Sequence, residues 1–142
     1  MSHVGICVAD WKRSLAFYHD VLGFRYVSEL EIKGEPSETL LRLRDVDLRV
    51  LYLEREGVRI ELLHYASPGH VGDDSPRPLN RLGLTHLSLR VDDLDAFLEE
   101  LRPQNVTIHG DTRIDIAQSR TKAIFIADPD GTLIELVERP GD

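Results

Sequence analysis

With 142 residues, 42% apolar and 30% charged, the chain has the composition of an ordinary globular protein and room for one compact domain or two small modules sharing a core. A net charge of −8 and arginines that form no stripe argue against a nucleic-acid partner; with no leader and no apolar run near the roughly 20 residues that span a bilayer, the expectation is a cytoplasmic protein with no membrane partner. The single cysteine, Cys7, excludes a disulfide framework and a thiolate-rich zinc site, and is expected to be a small buried residue.

From His3 the chain alternates apolar with small or polar residues through Val8, the period of a half-buried strand. Asp10 is placed to cap a helix that carries Leu15, Tyr18, Val21 and Leu22 at helical spacing. Three strands are predicted after it, at 24–32, 47–54 and 58–65, with a short helix begun by Pro36 and carrying Leu40, Leu41 and Leu43 in between. Gly57 turns the last two strands into a hairpin. Residues 66–82, rich in Pro, Gly and Asp, read as a linker.

The series then starts again. His86 to Asp93 repeats His3 to Asp10 at a constant offset of 83 (86 − 3 and 93 − 10). Asp93 caps a helix carrying Leu94, Phe97, Leu98 and Leu101, which Pro103 ends. Strands follow at 106–110, 122–127 and 132–138, with Asp130-Gly131 turning the final pair. The predicted architecture is α+β, two tandem βαβββ modules at 1–65 and 83–142 forming a single domain.

The repeat also aligns chemistry. His3 and His86 occupy the same place in their first strands, and Glu61 and Glu135 lie in matching Ile-Glu-Leu tripeptides of the fourth strands. Strand alternation puts Val4, Ile6 and Val8 on one face, under the helix, and His3, Gly5 and Cys7 on the other. In the second module Leu87, Leu89 and Val91 are covered, while His86, Ser88 and Arg90 share the open face. Small residues beside each histidine leave space for a cavity. Glu135 shares its face with Leu133 and Val137, where an unpaired carboxylate is costly and an ion removes the cost. Two imidazoles and two carboxylates suit one Zn, Ni, Co, Mn or Fe divalent ion. His19, His64, His70 and His109 have no repeat partners and read as surface or linker residues.

On His3-Val-Gly-Ile, Phe17 to Phe24, Ile60 to Leu63, Gly83 to Asp93 and Asp128 to Leu136, the chain resembles the vicinal oxygen chelate superfamily. That superfamily includes glyoxalase I, methylmalonyl-CoA epimerase, extradiol dioxygenases, fosfomycin-resistance enzymes and bleomycin-binding proteins. The resemblance implies a half-open barrel with a metal site on its concave side, a small-molecule substrate chelating through adjacent oxygens, and a homodimer. Whether the modules pair within a chain or across a dimer stays open.

Both carboxylates are present, as in glyoxalase I, although Cys7 stands where that enzyme has an arginine for glutathione. The expected function is a metal-dependent isomerase or lyase of the glyoxalase/epimerase type. The ion would act as a Lewis acid on a carbonyl, Glu135 would be the principal base and Glu61 the second, and Arg90 would pair with a substrate carboxylate or phosphate. The alternatives are an Fe(II)-dependent extradiol-type dioxygenase and a metal-poor antibiotic-binding protein.

Overall fold

The alternating segments become two four-stranded sheets in the computed structural model, which describes residues 1–75 and 77–141. The chain divides into two compact units, Met1–Gly72 and Asp73–Asp142, and the division falls inside the Pro- and Gly-rich stretch at 66–82.

The first unit runs β1 (Val4–Cys7), α1 (Trp11–Leu15), β2 (Arg25–Lys33), α2 (Ser37–Leu41), β3 (Asp47–Arg55) and β4 (Val58–Ser67). Its sheet order is β1-β4-β3-β2, with β1 parallel to β4 and the other pairs antiparallel. The second unit runs β5 (Leu87–Arg90), α3 (Leu94–Leu101), β6 (Thr107–Ile116), β7 (Thr121–Ala127) and β8 (Leu133–Glu138). Its order, β5-β8-β7-β6, repeats the topology strand for strand, again with one parallel pair. Strands and helices coexist without alternating around a parallel sheet, so the class is α+β.

Helices α1 and α3 start where Asp10 and Asp93 predict. The Asp10 carboxylate accepts the amides of Lys12 at 2.9 Å and Arg13 at 3.2 Å. Asp93 accepts the amide of Ala96 at 2.9 Å, and Glu138 of β8 accepts that of Leu94 at 2.8 Å. These bonds satisfy donors that a helix N-terminus otherwise leaves orphaned.

Beyond Leu15 the first helix opens into a wide π-type turn, Ala16–Val21. There the neighbouring aromatics Phe17 and Tyr18 are both buried, with Tyr18 also edge-on to Phe24. The equivalent helix of the second unit, α3, tightens instead into a 3-10 turn, Arg102–Gln104, with Pro103 inside it.

One face of each sheet is its helix-side core. In the first, Ile60 and Leu62 of β4 pair with Leu53 and Leu51 of β3, and all four are fully buried. In the second, Ile134 and Leu136 of β8 pair with Ile126 and Ile124 of β7, beside buried Leu94, Leu98 and Leu101. Removing each such side chain from water stabilises the fold by about 1.5–3 kcal/mol. The residues between them, Glu61 and Glu135, face the other way.

Two turns fix the hairpins. Glu56 and Gly57 both take positive φ, 51° and 78°, the pair of left-handed residues that a two-residue hairpin requires. At the β7–β8 turn Gly131 has φ 84°, and a Cβ there would stand 2.3 Å from the carbonyl oxygen of Asp74. Only glycine fits.

The helix after Pro36 is shorter than its apolar residues suggest. It spans Ser37–Leu41, with Leu40 pointing to solvent and Leu43 beyond its end. Leu41 and Leu43 instead pack on a small cluster of Val46, Leu48 and Val50. The strand expected at 106–110 continues to Ile116, because the Thr112 hydroxyl bridges an irregularity. It donates to the His109 carbonyl at 2.7 Å and accepts the Phe125 amide at 2.9 Å, so pairing resumes at Ile114.

Candidate metal half-sites

In the first unit β1 and β4 run parallel with Gly5 opposite Glu61. His3, just before β1, brings its Nε2 to 3.1 Å from Glu61 Oε2. Two ligands each about 2.1 Å from one ion stand roughly 3.0–3.4 Å apart in octahedral or tetrahedral geometry, so this pair has the spacing of neighbouring ligands. The Ser2 hydroxyl lies 3.2 Å from His3 Nδ1, and such a partner on one ring nitrogen leaves the other to coordinate.

Across the next strand, Tyr52 donates its phenol hydrogen bond to Glu61 Oε1 at 3.0 Å and sets its ring edge-on to His3. Burial first, and then the bond to the Glu61 carboxylate, raise the Tyr52 phenol above its ordinary value, so it stays a donor at neutral pH. Gly5 keeps this face of the strand low beside the carboxylate: a Cβ there would press on Leu63 Cδ1 at 3.3 Å and come into ordinary contact with Glu61 Oε2 at 3.6 Å.

The second unit reproduces the plan with other parts. Ser88 lies opposite Glu135 and Phe125 is its neighbour on β7. His86 Nε2 stands 3.9 Å from Glu135 Oε2, a wider separation than in the first unit. The Thr85 hydroxyl is 2.8 Å from His86 Nδ1, in the role of Ser2. Ser88 donates to Glu135 Oε2 at 2.7 Å, and Phe125 sets its ring edge-on to His86 without a hydroxyl to offer.

The structure therefore joins His3 with Glu61 and His86 with Glu135. Among the described residues no group of three or more His, Cys, Asp or Glu is placed to hold a metal ion. Each half-site offers one imidazole nitrogen and one carboxylate, a donor pair that fits the borderline divalent cations, in a cradle kept open by Gly5 or lined by Ser88. Arg90 lies on β5, two residues past Ser88, and is exposed; its guanidinium donates to the Arg139 carbonyl at 3.0 Å.

Three expectations are corrected. Cys7 is exposed, because it lies on the His3–Gly5 face of an edge strand and not in the core. His64 and His109 are half-buried strand residues, each with one ring nitrogen buried and unpartnered among the described residues. They lie within β4 and β6, where strand pairing and not linear spacing decides how far a ring is exposed. Of the two carboxylates Glu61 is the more enclosed, its side chain 14% exposed against 30% for Glu135, with the Tyr52 hydroxyl bonded to it. Spacing missed Ser2, Thr85 and Tyr52. The signal for the first two was present, a hydroxyl residue directly before each histidine at the same offset of 83 (85 − 2).

Residues 1–136 match the family model of the Glyoxalase/Bleomycin resistance protein/Dioxygenase superfamily. The chain is 32% identical to the Escherichia coli protein YaeR over 96% of its own length and 94% of that protein's. It is 31% identical to a 2-epi-5-epi-valiolone epimerase from an Actinomyces species, covering 97% and 78%. A glyoxalase family protein of known structure from Bacillus cereus shares the fold with a TM-score of 0.86 at 22% identity, covering 99% and 94%.

Proposed function

This chain belongs to the glyoxalase/bleomycin resistance protein/dioxygenase superfamily, and from that premise we propose that it is a divalent-metal-dependent isomerase or lyase that moves a proton next to a carbonyl. Members of the superfamily include epimerases and glyoxalase I, commonly use a divalent metal ion, bind small molecules and often form dimers. The proposed ligands are His3, Glu61, His86 and Glu135, one imidazole and one carboxylate from each module, for one ion of the Zn, Ni, Co, Mn or Fe class. The observation that carries the reading is the repeated arrangement of a histidine Nε2 facing a carboxylate while a hydroxyl occupies Nδ1.

A bound ion of this kind supplies Lewis acidity, which weakens a C–H bond beside a chelated carbonyl. The chain's part is to orient the substrate and take the proton. Glu135, the more open carboxylate, is the proposed base, and Glu61 the second. Arg90 is the proposed partner of a substrate carboxylate or phosphate, which its exposure permits.

The test is elemental analysis of protein never exposed to chelator, followed by deuterium wash-in from D₂O into a 2-oxo or 2-acyl compound read by NMR. Near-stoichiometric metal and exchange at the carbon next to the carbonyl are expected. Protein without metal sinks the proposal, and O₂ consumption with a catechol and no exchange selects the dioxygenase instead.

A further inference from the structure

We infer that Tyr52 and Ser88 are positioning residues that divide the labour of the two carboxylates: Tyr52 holds Glu61 as a standing metal ligand, while Ser88 holds Glu135 by one oxygen and leaves the other for the proton. The inference rests on the metal-dependent reading above and specifies how its ligands differ.

The hydrogen bonds carry it. Glu61 accepts the Tyr52 phenol on Oε1 at 3.0 Å, while its Oε2 faces His3 Nε2 at 3.1 Å, the spacing of two ligands on one ion. With Oε1 held from β3 and its side chain 14% exposed, Glu61 cannot swing away without breaking a bond in a half-buried setting. Glu135 has both its neighbours, the Ser88 hydroxyl at 2.7 Å and His86 Nε2 at 3.9 Å, on the single oxygen Oε2. Its Oε1 has no hydrogen-bond partner among the described residues. Rotation about that one anchored oxygen costs no other bond.

The proton step follows. The substrate C–H bond breaks, its proton goes to Glu135 Oε1, and its electron pair moves into the neighbouring carbon–carbon bond as the carbonyl oxygen gains charge. Delivery of that proton from Oε1 to the former carbonyl carbon, taken up by the electron pair of the new carbon–carbon double bond, completes a 1,2-isomerisation of a 2-hydroxy carbonyl compound: the hydroxyl proton of the first carbon passes to the charged oxygen, and the first carbon becomes the new carbonyl. Ser88 holds Oε2 throughout. Phe125, standing where Tyr52 stands in the first unit, has no hydroxyl to occupy Oε1.

The test needs no substrate. Metal-stripped wild type, Tyr52→Phe, Ser88→Ala, Glu61→Gln and the double variant Tyr52→Phe/Glu61→Gln are titrated with MnCl₂ by calorimetry. Tyr52→Phe keeps the ring beside His3 and should weaken Mn²⁺ binding about 10–100-fold, the usual effect of losing a ligand's outer partner. In the Glu61→Gln background the same change should add less than about twofold, because Tyr52 acts through that carboxylate. Ser88→Ala should stay within about threefold of wild type. The visible spectrum of the Co²⁺-loaded protein, which reports the ligand field, should move in Tyr52→Phe and not in Ser88→Ala. Unchanged Mn²⁺ affinity in Tyr52→Phe, an equal loss in Ser88→Ala, or an undiminished effect in the Glu61→Gln background each overturns the inference and leaves the metal reading standing. A wild type that takes up no Mn²⁺ overturns both.

Discussion

In the first module the Ser2 hydroxyl stands beside His3 Nδ1, and in the second Thr85 does the same for His86. The carboxylates are treated differently: Glu61 is bonded at Oε1, faces His3 with Oε2 and is largely covered, whereas Glu135 has both neighbours on one oxygen and is twice as exposed. The repeat kept the imidazole geometry and let the acid geometry diverge. That is the pattern expected when two imidazoles share one task and two carboxylates do not. It also places the useful mutations where the halves disagree.

The largest expected effect separates the two acids. Glu135→Gln keeps size and a possible oxygen ligand and removes the proposed base, so proton exchange should fall about 10²–10⁴-fold with metal retained. Glu61→Gln should lose metal first. D₂O wash-in beside elemental analysis checks both, and identical profiles would make the halves interchangeable. On the opposite face the halves should behave alike. Leu62→Ala and Leu136→Ala each empty a fully buried site and should cost about 2–5 kcal/mol by urea denaturation. A much smaller loss at one site would show that its module packs more loosely.

Much of this was legible in the sequence, and the limits have physical causes. The offset of 83 aligned His3 with His86 and Asp10 with Asp93 because a repeat preserves register. Alternation placed Glu61 and Glu135 opposite their core neighbours because strand side chains have period two. Tyr52 was not legible, since its bond to Glu61 depends on which strands lie side by side, and pairing is a tertiary fact. The same reason hid the burial of His64 and His109. The continuation of β6 to Ile116 escaped because its pairing is interrupted and then repaired by one threonine hydroxyl.

A smaller effect sharpens the comparison from the other side. Phe125→Tyr offers Glu135 the hydroxyl that Tyr52 gives Glu61. It should slow exchange about tenfold and tighten Mn²⁺ binding, within the range of outer-partner effects on a metal site. Unchanged exchange would show that the added hydroxyl does not reach Glu135.

The smallest effect concerns acid. Hydrogen bonds from Arg113 and then Lys122 hold the Asp95 carboxyl down to about 2. These bonds tie α3 to β6 and β7. A carboxyl depressed in the folded state adds stability that is present above its unfolded value, near 3.8, and is lost as pH falls through about 2. Wild type should therefore melt slightly above Asp95→Asn at pH 7, with the gap closing between about pH 4 and 2. The fully exposed setting keeps that gap small and sensitive to salt.

The wide turn at Ala16–Val21 and the tight one at Arg102–Gln104 have a consequence for exchanging parts between the halves. Residues 11–21 and 94–104 are the same length at the same offset (94 − 11 and 104 − 21 are both 83), yet one tail is wound loosely and the other tightly. A 3-10 turn rises about 2.0 Å per residue against 1.5 Å in an α-helix, and a π turn rises less than either. A chimaera carrying 94–104 in place of 11–21 would need no insertion or deletion and would still deliver its next strand too far along the helix axis. Identical residue counts make such a graft look seamless on paper, and the mismatch in pitch would emerge only as a displaced strand.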